Sequence, residues 1–579
     1  MPYIDWMGKD DVKDHHKSIP YKTIDCKEEI GDKDSQNMII KGDNLLALKS
    51  LLPYYASSVK MIYIDPPYNT GNTSWVYNDN MDSPLIKKWL NDTVNAEDLS
   101  RSDKWLCMMY PRLKLLRELL KDDGIIFISI DDAEVAQLRL ICDEIFGKDN
   151  FVGEIIRKTK SMTADKNTGF NFQHEYLIIY AKEKKKIFLL GEDKDFSKYR
   201  NPDNDNNGAW VSGDPSAKSG SDSTSFKITN PYTNKVDYPP LGRYWAFSKD
   251  TLERYIKNGR VKFKKEHTEK ERGFIFKRYL NELKADYNPV HSLFGIENDY
   301  MNQIGTKELQ EIFNEDIFSN PKPSIFIKKL IQYTMSSSDI ILDSFAGSGT
   351  TAQAVLEKNK EDGGNRKFIL IETLDYAKDI TAERVKRVIK GYNFTGKDKT
   401  TLFEKKLTTT QILKPQTMEK ISKDVTKILE DEKENYTKLE KTFKENTLKI
   451  EGVKDIKSFK EGIGGGFKYC ELSHDIFDEF GELNQKLTFE QIAKHIYFVE
   501  FKRPIKKDEI TSPFVGSYNH KYLYFYEKEF LKRDMQKLIK EKDDYKQIIV
   551  YTQKTSISDD ELKDNNIIIR YIPYDIKDN

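Results

Sequence analysis

The stretch KMIYIDPPYNTGN, Lys60 to Asn72, decides the fold class. Met61 to Ile64 is a short apolar, partly β-branched run that predicts a buried strand. Asp65, two prolines and Tyr68 follow it, and Asn69-Thr70-Gly71-Asn72 predicts a turn-rich loop. Each proline has a fixed φ and no backbone donor, so Pro66-Pro67 makes a stiff corner. A carboxylate, a carbonyl and an aromatic ring then stand at the C-terminal end of a strand, where open α/β sheets bind ligands. Such a cluster can hold a flat base with an exocyclic amine: two acceptors for its N–H groups and a ring for its face. An ordinary proline-rich turn would look the same, so the weight falls on the remaining chain.

Outward from that corner, elements alternate. Met38 to Ile40 predicts a strand, and Gly42-Asp43-Asn44 leads into a helix ended by Pro53. Asp43 is suited either to a ligand amine or to capping that helix, and capping is the preferred role. KWLCMMYPRLKLLRELLKDDG predicts an amphipathic helix with Leu113, Leu116 and Leu120 on one face. IIFISID is the next strand, and Asp131-Asp132 starts a helix that Gly147 stops. Phe151 to Arg157 and Tyr176 to Tyr180 predict further strands around the polar loop TKSMTADKNTG. This alternation predicts an α/β fold with a parallel, doubly wound sheet.

A second ligand-type turn lies far downstream. The strand Ile340 to Asp343 feeds Phe345-Ala346-Gly347-Ser348-Gly349, and a helix begins near Thr350. Glycine lets backbone approach a ligand, and a helix N-terminus favours polar or anionic groups. The strand KFILIE ends at Glu372, where a carboxylate can meet ribose hydroxyls. The turn lacks both the Lys-Ser/Thr of a P-loop and the third glycine of the dinucleotide fingerprint.

Length predicts three or four domains. The 579 residues carry 94 Lys+Arg and 94 Asp+Glu, so any nucleic-acid surface must come from local segregation of charge. Arg254 to Arg278 is such a place, with Tyr255, Phe263, Phe274 and Phe276 among its basic residues. A solvated face is the plain reading; basic and aromatic interleaving in a neutral chain leans toward DNA, with Lys262, Lys264, Lys265 and Arg272 as candidate contacts. Four separated cysteines without CxxC argue against zinc and against a disulfide framework, and no metal is expected. Asp203-x-Asp205-x-Asn207-Gly208 matches a calcium-loop pattern, but its flanks are not helical, so a solvated turn is expected. No signal peptide or membrane-length apolar run stands out, which leads to the expectation of a soluble cytoplasmic protein.

The turn with Glu372 resembles the S-adenosylmethionine site of class I methyltransferases. Asp65-Pro66-Pro67-Tyr68 resembles the motif of amino-methyltransferases that act on nucleic-acid bases. The catalytic motif precedes the cofactor motif with a basic insert between, an order similar to the β group of DNA amino-methyltransferases. GDNLLALKSLLPYY, KWLCMMYPRLKLLRELLKDDGIIFISIDD, HEYLIIYAK and NPKPSIFIKKLI extend the likeness, over roughly residues 38 to 395, to the modification subunit of type III restriction–modification systems. The resemblance implies a class I, Rossmann-like methyltransferase core of permuted motif order with an inserted target-recognition region. It also implies that Phe345, Gly347, Gly349, Thr350 and Asp343 surround the cofactor, with Glu372 at its ribose, Lys322 and Ser324 near its carboxylate and Asp43 near its adenine amine. Asp65 and the Pro66 carbonyl would accept from the target amine, with Pro67 stiffening the corner. Tyr68 would stack on a flipped base, and His174-Glu175-Tyr176 would line the same pocket, Tyr176 as a second ring.

The boundaries that follow are an N-terminal arm (1–36), a first core segment with the Asp-Pro-Pro-Tyr corner (37–182), the target-recognition insert (183–305), a second core segment with the cofactor turn (306–395), a helical arm or interrupted coiled coil (396–455) and a small C-terminal α/β domain (456–579). The implied function is adenine-N6 methylation of double-stranded DNA, with a homodimer and an ATP-dependent restriction subunit as partners. Cytosine-N4 methylation, a solitary methyltransferase and a recognition-only subunit are the alternatives.

Overall fold

The computed structural model describes residues 4–69, 100–161, 171–283, 287–295, 298–444, 446–478, 480–541 and 545–576. The expected turn at Thr70 to Asn72 and most of the loop TKSMTADKNTG lie outside them. One compact unit comprises residues up to Leu189 and from His291 onward, and a second comprises Leu190–Val290.

The first unit is built on a ten-stranded sheet. Its elements are β1 (Lys22–Gly31), β2 (Met38–Lys41), α1 (Asn44–Tyr55), β3 (Val59–Ile64), α2 (Arg101–Leu119), β4 (Leu120–Ile130), α3 (Val135–Cys142), β5 (Phe151–Lys158) and β6 (His174–Ala181). After the insert come β7 (Leu293–Phe294), α4 (Asn302–Phe313), α5 (Ser324–Thr334), β8 (Ile340–Asp343), α6 (Thr350–Asp362), β9 (Lys367–Glu372), α7 (Glu383–Lys390) and β10 (Gly466–Asp475). Strand order is β1-β10-β2-β9-β8-β3-β4-β6-β5-β7. From β10 to β4 all neighbours are parallel. Met61, Ile62, Tyr63 and Ile64 of β3 are all buried, as a strand covered on both faces requires. β8 and β9 are inserted between β2 and β3, and the chain runs outward from β8 to β9 on one side and from β3 to β4 on the other. The adjacent C-terminal ends of β3 and β8 are therefore the topological switch point.

This sheet agrees with the expected α/β class and permuted order, but several details differ. α1 continues through Pro53 to Tyr55, without the bond that an N–H at position 53 would make to the Lys49 carbonyl. Residues 22–31 are not an arm: β1 pairs antiparallel with β10. FKYCEL, expected in a separate C-terminal domain, is that same β10, and it lies between β1 and β2. Cys26 and Cys470 face each other in the ladder, and their sulfurs are joined, contrary to the expectation that no disulfide forms. They stand 444 residues apart, so spacing carried no signal. The expected helical arm holds the short helix Thr409–Ile412, the helix Pro415–Asp431 and a three-stranded sheet of Gly391–Lys406, Thr447–Glu461 and Lys438–Lys444. The failure of the heptad at Glu432 and Asn435 marks where helix gives way to strand. Further on, the Thr488–Gln491 capping box starts the helix Phe489–Phe501. A four-stranded sheet, Phe514–Tyr518, Lys521–Phe530, Gln547–Thr555 and Ile567–Tyr571, completes the chain. Among the described residues no helix is long and apolar enough to cross a membrane.

The second unit is narrower than the expected insert of 183–305, because β7 pairs with β5 in the main sheet. Its own core is Phe226, Ile228, Trp245, Phe247, Leu252, Val261 and Phe274.

Candidate functional site

β3 delivers Asp65 and β8 delivers Asp343 at neighbouring strand ends, since Ile341 pairs with Met61 and Leu342 with Ile62. A cleft of about 350 Å³ opens there, and its lining includes Asp65, Pro66, Tyr68, His174, Glu175, Lys322, Asp343, Phe345, Gly347 and Thr350. Two motifs separated by some 280 residues thus line one cavity.

The corner is braced from outside. The Pro67 carbonyl accepts from Trp105 Nε1 at 2.7 Å, and Trp105 is fully buried. Asn69 adopts φ 63°, its Nδ2 donates to Glu134 Oε1 at 2.7 Å, and its carbonyl accepts from Arg101. Pro67 therefore acts in the fold, while Pro66 reaches the cleft. Inside, the Tyr68 hydroxyl is shared by Asp65 Oδ1 at 2.7 Å and Glu175 Oε2 at 3.1 Å. Burial first, then the charges of Asp65 and Glu175, push the Tyr68 phenol up well beyond its ordinary range, so it remains a neutral donor.

Lys322 is the main departure from expectation. Its carbonyl accepts from the Thr350 hydroxyl at the start of α6 at 3.1 Å, but its Nζ lies 2.6 Å from Asp65 Oδ2, 3.0 Å from the Tyr68 hydroxyl and 3.7 Å from Glu175 Oε2. A buried ammonium needs carboxylates, and these are the ones within reach. Ser324 bonds Glu308 and Glu357 rather than the cleft. Asp43 Oδ1 accepts from the Leu45 and Leu46 amides, so capping of α1 describes it and it does not line the cleft.

The glycine turn is tightly set. Gly347 and Gly349 have φ 52° and 82°. A Cβ on Gly349 would stand 3.0 Å from the Thr381 carbonyl oxygen. Glu372 braces the turn: its Oε2 accepts from the Gly347 amide at 2.8 Å and its Oε1 from Leu374 at 3.0 Å. It is buried, and its carboxylate is turned to the backbone of the turn. Asp343 Oδ2 accepts from the Thr351 hydroxyl at 2.6 Å. Burial pushes the Asp343 carboxyl up to about 7, with Asp65 and Glu372 adding to it; burial likewise takes Glu372 to about 7.

β6 alternates, so Glu175 leaves by one face and His174 and Tyr176 by the other, and only His174, at the strand end, still borders the cleft from that face. Glu175 points to Tyr68, whereas Tyr176 donates to Asp132 Oδ1 at 3.0 Å and does not line the cleft. His174 lines the cleft, its Nε2 3.2 Å from the Tyr176 hydroxyl. Phe172, 55 % exposed, also lines the cleft and is the aromatic ring that sequence reasoning missed. Phe170-Asn171-Phe172, two rings set in the polar run before β6, was the available signal.

In the second unit the interleaved aromatics turn inward. Phe274 belongs to the unit's core, and Tyr255, Phe263 and Phe276 pack against it, so they build the unit instead of offering rings to a partner. Lys262 pairs with Asp203 at 2.7 Å and Lys264 with Glu271 at 2.9 Å. Arg272 lies 5.4 Å from the Trp245 ring centre and 3.9 Å from Asp214. Lys265 is 6.0 Å from the Tyr232 ring centre, and Lys262, Lys264 and Lys265 share one groove. The turn that resembles a calcium loop is an ion-paired brace, with the buried Lys277 Nζ 2.7 Å from Asp203 and 2.5 Å from Asp205.

The arrangement can hold an amine against two acceptors on one side and a cationic group beside Asp343 on the other. The chain is similar to known DNA-modification proteins. The StyLTI Mod subunit of a type III restriction-modification enzyme from Salmonella typhimurium is 36% identical over 65% of this chain and 58% of its own length. The EcoPI Mod subunit from Escherichia phage P1 is 34% identical over 64% of this chain and 63% of its own. This chain thus spans less than two thirds of these relatives. The type II methyltransferase M.KpnI from Klebsiella pneumoniae is 32% identical over 59% of this chain and 81% of its own length. The family profile described as DNA methylase matches residues 59–383, the span that carries both halves of the cleft, and the chain belongs to that family.

Proposed function

We propose that this protein transfers a methyl group from S-adenosylmethionine to the N6 amine of an adenine flipped out of double-stranded DNA. The observation that carries this reading is the meeting of Asp65, Pro66 and Tyr68 with Asp343, Phe345 and Gly347 in one cleft at the β3–β8 switch point. The residues suit the cofactor. The positive-φ glycines leave room at the N-terminus of α6, and Asp343 is a buried carboxyl that a cationic ligand would reward. Phe345, Gly347, Ser348 and Thr350 would hold it, and when bound it supplies an electrophilic methyl on a sulfonium.

The chain's own groups do the rest. An adenine amine is a poor nucleophile because its lone pair is delocalised into the ring. Asp65 and the Pro66 carbonyl accept its two hydrogens, draw them out of plane and free the lone pair for in-line attack. On taking the methyl group, the amine would give up one proton toward Asp65. Positioning and polarisation therefore supply most of the rate. Base flipping costs a few kcal/mol, and stacking on Tyr68 returns ~1–3 kcal/mol of it. Residues 190–290 would recognise the target, with Lys262, Lys264, Lys265 and Arg272 near its phosphates. A second copy of the chain and an ATP-dependent restriction subunit are the proposed partners, by analogy with the Mod subunits.

Incubation with labelled cofactor and duplex DNA, followed by resolution of the nucleosides, should give 6-methyladenine; N4-methylcytosine, or no transfer, would overturn this reading.

A pH dependence follows from Asp343 and Glu372, whose folded values near 7 lie above their ordinary 3.8 and 4.5. Their contribution to stability is complete below about pH 4 and is lost as pH rises through about 7. A cation bound beside Asp343 lowers its pKa, so cofactor binding near pH 7 should release protons. Calorimetry in two buffers of different ionisation enthalpy should show this release at pH 7 and a smaller one at pH 9.

A further inference from the structure

Glu175 has no part in the acceptor chemistry above, yet it is more deeply buried than Asp65, at 4 % exposed. Its Oε1 accepts from Arg157 Nε at 2.8 Å. Arg157 is fully buried and is fixed independently, donating to the Tyr300 carbonyl and, at 2.7 Å, to Asn302 Oδ1. The other oxygen, Oε2, accepts from the Tyr68 hydroxyl at 3.1 Å and faces Lys322 Nζ at 3.7 Å. Burial pushes the Glu175 carboxyl up, but Arg157 and then Lys322 outweigh it and hold the group below its ordinary range, as an anion at neutral pH. Two carboxylates, Asp65 and Glu175, thus share one ammonium and one phenol. Asp65 has the closer hold on both, at 2.6 Å and 2.7 Å.

An ammonium buried at this depth cannot leave one carboxylate unless another receives it. The gap between its present contact with Asp65 and one with Glu175 is about one ångström, within reach of a rotation in the lysine stem. We propose that Glu175, anchored by Arg157, is a positioning residue of the acceptor site: it holds the Tyr68 hydroxyl and receives the Lys322 ammonium when Asp65 turns to the amine of the incoming base. The inference rests on the acceptor reading of Asp65 given above. Without Glu175 the ammonium stays on Asp65 and competes with the amine hydrogens for the same oxygens. Tyr68 also loses one of the two carboxylates that accept from its hydroxyl. The donor half of the cleft, built from β8 and α6, is untouched.

The test uses the full chain with Arg157→Met and Glu175→Leu together, since apolar groups of similar bulk in place of a buried ion pair commonly preserve stability. Single-turnover transfer to a duplex oligonucleotide at saturating S-adenosylmethionine should slow about 10- to 100-fold. Cofactor affinity should stay within about twofold of wild type. Adding Lys322→Met should restore transfer by at least about threefold, because no ammonium then occupies Asp65. A merely structural role would not give that recovery. A wild-type rate in the double variant, a fall in cofactor affinity in step with the rate, or no recovery with Lys322→Met would overturn the proposal. Should the double variant not fold, Glu175→Gln with and without Lys322→Met gives the same two readings. Failure of the wild type to methylate any duplex would instead remove the functional reading itself.

Discussion

Asp65→Ala should lower single-turnover methyl transfer by at least about 10³-fold, or ~4 kcal/mol of transition-state stabilisation, while cofactor affinity stays within about threefold. The carboxylate stands at the Tyr68 end of the cleft, with Oδ1 on Tyr68 and Oδ2 on Lys322. Truncation leaves Lys322 with Tyr68 and Glu175, so the corner keeps a charge partner and should remain folded. Asp65→Asn separates charge from shape: it can still accept one N–H but carries no charge to draw the amine out of plane, and it should retain only a fraction of the rate. Equilibrium binding of labelled cofactor beside single-turnover kinetics checks both. If cofactor binding disappeared with the rate, Asp65 would belong to the donor site and the division of the cleft would be wrong.

Gly349→Val should act on the other half. The residue sits at φ 82°, where a side chain is strained by ~1–2 kcal/mol. A Cβ would also stand 3.0 Å from the Thr381 carbonyl oxygen and 3.3 Å from Thr381 Cγ2. Backbone cannot yield as a side chain can, so the turn must move. The expected result is a stability loss of about 2–4 kcal/mol together with a cofactor affinity lowered at least ~10-fold. Gly363→Ala is the comparison. It too has a positive φ, 69°, but no heavy atom lies within 4 Å of its Cβ position, so it should show the backbone cost alone, near ~1 kcal/mol. Thermal unfolding and cofactor titration on both variants separate strain from crowding; equal effects would place the turn outside the cofactor site.

Much of the site was legible because its signals are local. A strand, a stiff Asp-Pro-Pro-Tyr corner, a glycine turn and a following helix each leave a mark within about ten residues. What was not legible depended on pairing across the chain. Lys322 was expected at the donor side, and its choice of Asp65 could be seen only once β3 and α5 were placed together. Glu175 could have been separated from Tyr176 by strand alternation, and Arg157 stands directly opposite it in the β5–β6 ladder, but both needed the register. The aromatic residues between Arg254 and Arg278 misled for a different reason: an insert of about a hundred residues needs a core of its own, and those rings supply it. The cysteines failed in the same way as Lys322, since Cys26 and Cys470 are neighbours only because β1 and β10 pair.

The place of β10 also governs the order in which the protein can be made. β1 and β2 leave the ribosome early, yet in the finished sheet a strand ending at Asp475 lies between them. Between the synthesis of Lys41 and that of Asp475, roughly 20–90 s pass at ~5–20 residues per second. Throughout that interval both strands present bare edges, which invite pairing with other chains. A nascent chain that already carries the acceptor corner, the insert and the donor turn is therefore still unsealed, and its exposed edges mark it as a client for chaperones until the last strand is threaded home.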